Sequence, residues 1–149
     1  MRKNIFLIIG DGKCGKSSLV RALTGVYRAK AQLVAPTNGQ PFSCSVWPQS
    51  CQEAGDSPID VLNEVGRNPH QNFLITLRFF PGPEMIKHDA IEYYDLLNAN
   101  HNIQQVLFMG STNAPNTFNV TQPMNILPNS LNNAVNENAS IVRQLWGWR

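Results

Sequence analysis

A glycine-rich octet close to the amino end constrains the fold of this chain more than any other feature. It spans residues 10–17, reads GDGKCGKS, and directly follows the apolar run 5–9. A short apolar run that ends at glycine is typical of a buried strand in a parallel sheet. Apolar residues then recur at helical spacing up to the next glycine, namely Leu19, Val20, Leu23 and Gly25. The sequence therefore predicts a strand at Asn4–Ile9, a loop, and a helix from about Gly15 to Leu23.

The octet contains the residue types that bind a phosphate group. Glycines at positions 10, 12 and 15 allow positive φ and let main-chain N–H groups approach a ligand closely. We expect the N–H groups from Gly12 to Ser17 to converge on phosphate oxygens at the helix N-terminus. Lys16 would place a positive charge near the β- and γ-phosphates, and the Ser17 hydroxyl would bind Mg²⁺. The alternative is a glycine-rich turn that binds nothing.

The octet satisfies the pattern G-x-x-x-x-G-K-[ST] at every fixed position. In this respect the chain resembles the P-loop NTPase superfamily, whose Walker A motif has this form, over residues 4–25. The resemblance implies an α/β fold, a three-layer α/β/α sandwich with a mostly parallel sheet, in one nucleotide-binding domain over residues 1–149. It implies ATP or GTP as ligand, Mg²⁺ as cofactor on Ser17, and Lys16 as the catalytic charge on the phosphates. The nucleotide-binding residues would be Gly10, Asp11, Gly12, Lys13, Cys14, Gly15, Lys16, Ser17 and Ser18.

The same segment is similar to the opening of Ras-like small GTPases, in which GDxxxGKSSL follows a strand. Later motifs of that family are not matched. Phe79 stands where the family has the aspartate that reaches Mg²⁺ through water, and residues 111–114 lack the lysine and aspartate of the guanine-reading N-K-x-D motif. Thr37 lies in a turn where a switch threonine could sit, although a threonine there can also be only a turn residue. The similarity therefore does not extend to guanine specificity or efficient hydrolysis.

A Walker B acid is not found where the sequence leads us to expect it. It would end an apolar strand, and neither of the strands predicted at 73–80 and 103–109 ends in an acid. Glu84, in the segment after the first of these strands, is the predicted catalytic acid, with Glu53 and Asp56 as alternatives. Two arginines are candidates for stabilising developing charge, although the second could simply pair with an acid: Arg67 and Arg78.

Hydrophobic periodicity, turn residues and caps predict the remaining elements. Strands are expected at 31–35, 42–47, 73–80 and 103–109, and helices at 57–66, 85–98 and about 130–146. Loops are expected at 48–57 and, rich in Asn and Pro, at about 111–129. The predicted C-terminal helix has an apolar stripe of Leu131, Val135, Val142 and Leu145. Strands that alternate with helices favour an α/β fold with a mostly parallel sheet, independently of the octet.

Composition excludes several classes of protein. The 149 residues suit one domain, and 42% hydrophobic with 15% charged residues excludes a disordered polyelectrolyte. No apolar run approaches the length of a membrane span, and the net charge of +2 does not indicate nucleic-acid binding. Residues 1–30 nevertheless hold seven basic residues and one acid, a cationic end that attracts an anion. The alternative for Arg21, Arg28 and Lys30 is a solvated helix face.

The three cysteines do not form a disulfide scaffold, and a cytoplasmic protein with reduced thiols is expected. The apolar run at the amino end is too short for a secretory signal peptide. Cys14 has two interpretations, a reactive thiol with a lowered pKa beside lysines or a small residue that fits the turn. Cys44 and Cys51 do not have a zinc-binding spacing with the histidines.

Three functions follow from these patterns. The leading hypothesis is binding of a nucleoside triphosphate with slow Mg²⁺-dependent hydrolysis. The alternative is a nucleotide-binding switch or adaptor with little turnover, whose C-terminal region would bind a protein partner through Trp146 and Trp148. Against that partner surface stands the packing of both tryptophans on the sheet of their own domain. A small-molecule or nucleotide kinase ranks third, because no arginine cluster follows residue 30.

Overall fold

A computed structural model of the chain describes residues 2–12, 14–28, 30–36, 38–110, 120–128 and 134–148. Over these ranges the chain forms six strands and five helices. The strands are β1 (Asn4–Gly10), β2 (Lys30–Val34), β3 (Phe42–Trp47), β4 (Asn72–Arg78), β5 (Asn102–Gly110) and β6 (Met124–Pro128). The helices are α1 (Lys16–Thr24), α2 (Cys51–Ala54), α3 (Pro58–Arg67), α4 (Ala90–Asn100) and α5 (Val135–Trp146). Thr37 and residues 111–114 lie outside the described residues.

The strands of the described residues form one sheet in the order β2-β3-β4-β1-β5-β6. Only β2 runs antiparallel to its neighbour, β3, and the other pairs are parallel. The predicted α/β fold with a mostly parallel sheet is therefore confirmed. The central strand β1 ends with Gly10 between Arg78 of β4 and Met109 of β5. The loop that follows β1 thus starts at the middle of the carboxyl edge of the sheet.

Helices cover both faces of the sheet because the side chains of β1 alternate between two hydrophobic clusters. Phe6 and Ile8 pack in a cluster with residues of α1 and α5. Ile5, Leu7 and Ile9 pack in a second cluster with residues of α3 and α4. All five side chains are buried, so β1 and the loop after it are held from both sides.

Helix α4 starts five residues later than the predicted start at residue 85. Asp89 and Glu92 form a capping box, in which the Glu92 carboxylate accepts the Asp89 N–H at 2.8 Å. Residues before this cap form a turn that Lys87 closes by donating to the carbonyls of Gly82 and Pro83, both at 2.9 Å. The cap therefore decides where the helix begins, although the apolar pattern extends further back.

Two elements lie in segments where the sequence predicts loops. The short helix α2 lies in the predicted loop 48–57, and Ser50 caps it by accepting the Glu53 N–H at 3.3 Å. Strand β6 lies in the predicted loop 111–129 and pairs in parallel with β5. Its sequence, MNILP, has too little alternation to indicate a strand, so the prediction of a loop throughout that segment is wrong. Residues 111–119 are not among the described ones.

The buried face of the C-terminal helix includes Val142 of the predicted stripe but neither Val135 nor Leu145. Val135 and Leu145 are each 42% exposed, and Leu131 lies outside the described residues. The buried residues of α5 are Asn138, Ala139, Val142 and Trp146. Trp146 and Trp148 are both buried, and their rings lie against that of Phe6. Both tryptophans therefore belong to the core, and the prediction that they form a partner surface is wrong.

In the described ranges of the chain, none of the helices combines the length and the apolar character needed to cross a membrane.

Candidate functional site

The loop between β1 and α1 follows Gly10, the last residue of β1, which packs so tightly against β5 that it must lack a side chain. A Cβ on Gly10 would lie 2.8 Å from the Met109 carbonyl oxygen and 2.6 Å from Cys14 Sγ. At the other end of the loop, Gly15 precedes α1 with φ of 91°, a conformation that favours glycine. Leu19 N–H donates to the Gly15 carbonyl at 2.9 Å. The N–H groups of the first helical turn have no acceptor within the helix, so they are available to an anion.

Lys16 is buried at the start of α1 and its ammonium group turns back onto the loop. Nζ donates to the carbonyls of Asp11 at 2.6 Å and of Gly10 at 3.3 Å, and lies 3.6 Å from Cys14 Sγ. Burial lowers the pKa of Lys16, which Cys14 opposes and the positive charge of Arg78 reinforces. Lys16 thus holds a partly dehydrated positive charge within the loop.

Ser17 contacts the end of β3 and not the strands after which the sequence analysis sought an acid. Its hydroxyl donates to the carbonyl of Pro48 at 2.9 Å, and Pro48 immediately follows β3. The residues at this strand end are Trp47, Pro48, Gln49 and Ser50, and none is acidic. Neither of the strands predicted at 73–80 and 103–109 therefore supplies the contact with Ser17.

A polar cavity of about 270 Å³ opens beside the loop. The residues that line it are Cys14, Gly15, Lys16, Ser17, Ser18, Ser50 and Glu53. Among these described residues Glu53 is the acid, and its charge attracts Lys16. The cap at Ser50 starts α2 and thereby places Glu53 at this cavity. A pattern S-x-x-E at residues 50–53 indicates a helix start and could have revealed both α2 and the position of Glu53.

The other acids named from the sequence lie elsewhere. Glu84 is exposed, lies in the turn before α4, and does not line the cavity beside the loop. Asp56 lines a separate cavity of about 230 Å³ with Trp47 and Tyr27. Burial raises the pKa of Asp56, and Asp60 and Glu64 add to the effect. Neither acid is brought together with Lys16 and Ser17 among the residues that line the loop cavity.

Cys14 is a buried thiol of the loop, between Gly10 and Lys16. Burial raises its pKa even though Lys16 lies beside it. Of the two interpretations of Cys14, the reactive thiol with a lowered pKa is contradicted by this direction, and the small residue that fits the turn agrees with the structure. Burial also raises the pKa of Cys44 to about 12 and raises that of Cys51.

Of the remaining predicted loop residues that the structure describes, Ser18 lines the cavity, whereas Gly10, Asp11 and Gly12 are not among its lining residues. Ser18 is exposed and lines the cavity, and the Asp11 carboxylate faces Gly110, where a Cβ would lie 2.9 Å from Oδ2. Lys13 is outside the described residues. Phe79, where a Ras-like protein has an aspartate, is buried and stacks on Phe108, and its N–H donates to the Gly10 carbonyl at 3.0 Å.

The two arginines named from the sequence differ in their surroundings. Arg67 is exposed on α3 and pairs with Glu64 of the same helix. Arg78 ends β4, and its guanidinium lies against Gly12 of the loop. Only Arg78 of this pair is therefore placed at the loop.

Within the part of the chain that the structure describes, no group of three His, Cys, Asp or Glu residues could hold a metal ion. The histidines have other contacts. His101 accepts the Lys3 N–H, His88 contacts Glu92, and His70 contacts Ser43. Mg²⁺ does not require such a group, because it keeps several waters and takes few protein oxygens.

Comparison of the sequence with protein-family models gives no match, and comparison with curated proteins gives none either. The functional conclusion therefore depends on the chemistry of the loop and its cavity.

Proposed function

We propose that this chain is a nucleotide-binding protein of the P-loop type that binds ATP or GTP with Mg²⁺ and hydrolyses it slowly. One observation carries the proposal: Lys16 and Ser17 start a helix at a polar cavity that also contains Glu53. Helix N–H groups, a buried ammonium, a hydroxyl and a carboxylate are the groups that a magnesium–phosphate complex requires.

Lys16 is suited to hold a phosphate because its orientation is already set by the loop. The carbonyls of Asp11 and Gly10 take two of its three N–H donors. A phosphate oxygen can replace the weaker contact with the Cys14 sulfur, which is 3.6 Å long. The ammonium therefore binds the phosphate without a large rearrangement, which limits the entropy lost on binding.

Ser17 and Glu53 fit a magnesium ion. Because the Ser17 hydroxyl gives its proton to Pro48, its oxygen lone pairs face away from that bond and are available to a cation. Glu53 adds a carboxylate at the same cavity, and oxygen is the ligand atom that Mg²⁺ prefers. Bound Mg²⁺ would neutralise phosphate charge. Glu53 would accept a hydrogen bond from a water at the metal or at the γ-phosphate.

A switch or adaptor with little turnover is the second candidate function. The observation in its favour is the end of β3, where Ser17 meets the carbonyl of Pro48 and the strand end has no acid. With Glu53 as the acid at the cavity, positioning of the attacking water would depend on one side chain. The same site would suit a protein that hydrolyses the nucleotide slowly and a protein that binds it without hydrolysis. The rate of phosphate release distinguishes the two.

Nucleotide binding is tested by calorimetric titration with ATP, GTP and their diphosphates, with and without Mg²⁺. Lys16→Ala should weaken triphosphate binding at least about tenfold, because a charge-assisted hydrogen bond contributes roughly 1.5–3 kcal/mol. Lys13→Ala is the control, since it removes the same charge from the same loop at a position that the motif does not fix. Its effect should be smaller and more sensitive to salt. Equal effects of the two substitutions would mean that the cationic amino-terminal region binds anions diffusely and that residues 10–17 are not a Walker A site.

Turnover is tested by phosphate release under the conditions in which nucleotide binds. Glu53→Gln should slow release by about 10²-fold or more, in the range of general acid–base or water-positioning groups, and weaken nucleotide binding far less than it slows release. Glu84→Gln is the matched control, because Glu84 is an exposed acid that does not line the cavity. If Glu84→Gln slows phosphate release and Glu53→Gln does not, Glu84 is the catalytic acid, as the sequence predicts. Tight binding without release in the wild type would favour the switch.

A further inference from the structure

Arg78 is held at the edge of the glycine-rich loop by the sheet and by α2. It ends β4 and pairs in register with Gly10. Its main chain is clamped by Gln52, which accepts the Arg78 N–H at 3.1 Å and donates to the Arg78 carbonyl at 2.8 Å. Gln52 is buried and adjoins Glu53 of the cavity. The backbone of Arg78 is therefore fixed relative to both the loop and Glu53.

The guanidinium of Arg78 lies directly over a glycine of the loop. A Cβ on Gly12 would stand 2.7 Å from Arg78 Cζ, 3.1 Å from Nη1 and closer still to Nη2. A Cβ on Gly82 would lie 3.5 Å from Nη1. Two glycines thus provide the space in which the planar group sits, and a side chain at position 12 would displace it.

This guanidinium is not neutralised by the residues that the structure describes. Its Nε is buried without a hydrogen-bond partner, and no described carboxylate lies within ion-pair distance of it. A buried donor without an acceptor destabilises the folded protein. Lys16 is close enough for the two positive charges to repel. An anion bound at the loop beside Nη1 and Nη2 would reduce this repulsion.

The order of the strands indicates which part of a nucleotide Arg78 would meet. β4 lies between β1 and β3, so Arg78 is on the same side of the loop as the β3 end where Ser17 contacts Pro48. Glu53 is on this side as well, next to Gln52. In the proposed function Ser17 holds the Mg²⁺ that bridges the last two phosphates. Arg78 therefore approaches the phosphate chain from its metal-bound, terminal end.

We propose that Arg78 binds the terminal phosphate of a nucleoside triphosphate across Gly12 and makes the site select triphosphates over diphosphates. The inference depends on the proposed function and extends it to the residue that recognises the third phosphate. The guanidinium matches phosphate oxygens with two parallel N–H donors, which an ammonium cannot do. A diphosphate would leave this group as unsatisfied as it is without ligand.

The test compares the binding of ADP and GDP with that of the non-hydrolysable analogues AMP-PNP and GMP-PNP, all with Mg²⁺. Arg78→Ala should weaken analogue binding by about tenfold or more and change diphosphate binding far less. Arg78→Lys should restore only part of the loss, because it keeps the charge without the paired donors. Arg67→Ala is the control, since Arg67 is an exposed arginine of α3 that pairs with Glu64, and it should leave the ratio of the two affinities unchanged.

Gly12→Ala provides a second variant that keeps Arg78 in the chain. Gly12 is not among the glycines with positive φ, so alanine fits its backbone, and the group that must move is the flexible end of Arg78. This variant should lose selectivity for the triphosphate analogues as Arg78→Ala does, even where Arg78→Ala itself fails to fold.

The outcomes separate the two proposals. If the wild type binds neither diphosphates nor analogues, the proposed function fails and the role of Arg78 fails with it. If the wild type binds both and the Arg78→Ala and Gly12→Ala proteins keep its selectivity, the role of Arg78 is overturned and nucleotide binding stands. An equal loss of diphosphate and analogue binding would also overturn it, because Arg78 would then act on the loop and not on the terminal phosphate.

Discussion

Buried polar side chains of this chain are held mostly by main-chain groups. Lys3 Nζ donates to the carbonyls of Asn68 and His70, both at 2.8 Å, and Lys16 donates to the carbonyls of the loop. Thr76 donates to the carbonyl of Trp47 at 2.8 Å. The fold fixes the positions of these main-chain carbonyl groups, and a carbonyl has no net charge with which to neutralise a cation. The charge of Lys16 therefore remains available to a phosphate, as it would not be in a close ion pair.

His101 is another buried polar side chain with a main-chain partner, and it leads to a prediction of pH dependence. Its Nδ1 accepts the Lys3 N–H at 3.0 Å, which the neutral ring can do and the protonated ring cannot. Burial lowers the pKa of His101 below its ordinary value of 6.5, and the charges of Lys3 and Arg2 add to the effect. Below about pH 6.5, the unfolded chain therefore binds more protons at His101 than the folded chain does.

The stability that neutral His101 contributes is therefore fully present above pH 6.5 and is lost as the pH falls through the lowered folded pKa. Between pH 6.5 and the lowered pKa of His101 in the folded chain, this residue should reduce the free energy of unfolding by at most about 1.4 kcal/mol per unit of falling pH. Urea unfolding at about pH 7.5 and about pH 5.5 measures the effect. His101→Asn keeps an acceptor without a titration and should show a shallower pH dependence. Equal slopes in the wild type and in His101→Asn would contradict the prediction.

At the scale of single elements, helix starts are set by side chains within a few residues of the cap. Ser57 and Asp60 form a capping box with Pro58 at the first helical position of α3. Asp89 and Glu92 form a second box at α4, and Ser50 caps α2. Each start therefore depends on local hydrogen bonds that do not require the rest of the fold.

Removal of one of these caps should have a measurable local effect. Ser57 Oγ accepts the Asp60 N–H at 3.2 Å, and Asp60 accepts the Ser57 N–H at 2.9 Å. Ser57→Ala leaves the Asp60 N–H without this acceptor and should lower the free energy of unfolding by about 0.5–2 kcal/mol. Asn63→Ala, on an exposed position of the same helix, should change it by less than about 0.5 kcal/mol. Denaturant unfolding followed by circular dichroism compares the two, and equal values would mean that the cap does not stabilise α3.

At the scale of the whole molecule, the end of the described chain closes the core on the face of α1 and α5. Trp148 follows α5, and Pro36 after β2 forms an isolated antiparallel bridge with it. Its ring centroid lies 5.1 Å from that of Phe6 and 5.0 Å from that of Trp146. Phe6 belongs to β1, the strand that leads into the loop. The two tryptophans therefore stabilise the face of the sheet on which α1, the helix of the candidate site, also packs.

Removal of Trp148 should consequently destabilise the whole protein. Trp148→Ala empties a buried aromatic position and should lower the free energy of unfolding by about 3–5 kcal/mol. Leu145→Ala, at an exposed position of α5, should change it by less than about 0.5 kcal/mol. Chemical denaturation monitored by circular dichroism distinguishes the two substitutions. A small effect of Trp148→Ala, similar to that of Leu145→Ala, would mean that the ring is solvated and would restore the interpretation as a partner surface.

The amino-acid sequence by itself determined the elements whose causes are local. The strand, loop and helix of residues 4–24 and the start of α3 follow from apolar spacing, glycines and caps within a few residues, and β3 has its predicted bounds. The loop residues of the candidate site could be named in the same way, because the octet is contiguous. The alternation of strands and helices was sufficient to predict the α/β fold. β6 and α2 were not predicted, because they are too short to show a hydrophobic periodicity.

Only the tertiary structure decided what lies around the loop. The order β3-β4-β1 arises from long-range strand pairing, and no local pattern encodes it. That order places the carbonyl of Pro48 on Ser17, Glu53 at the cavity, and the guanidinium of Arg78 over Gly12. It also leaves Glu84, close to Arg78 in the sequence, exposed and away from the lining of that cavity. The order of strands in a sheet depends on the burial of both faces of every strand at once. It is therefore a property of the whole chain and not of any single segment.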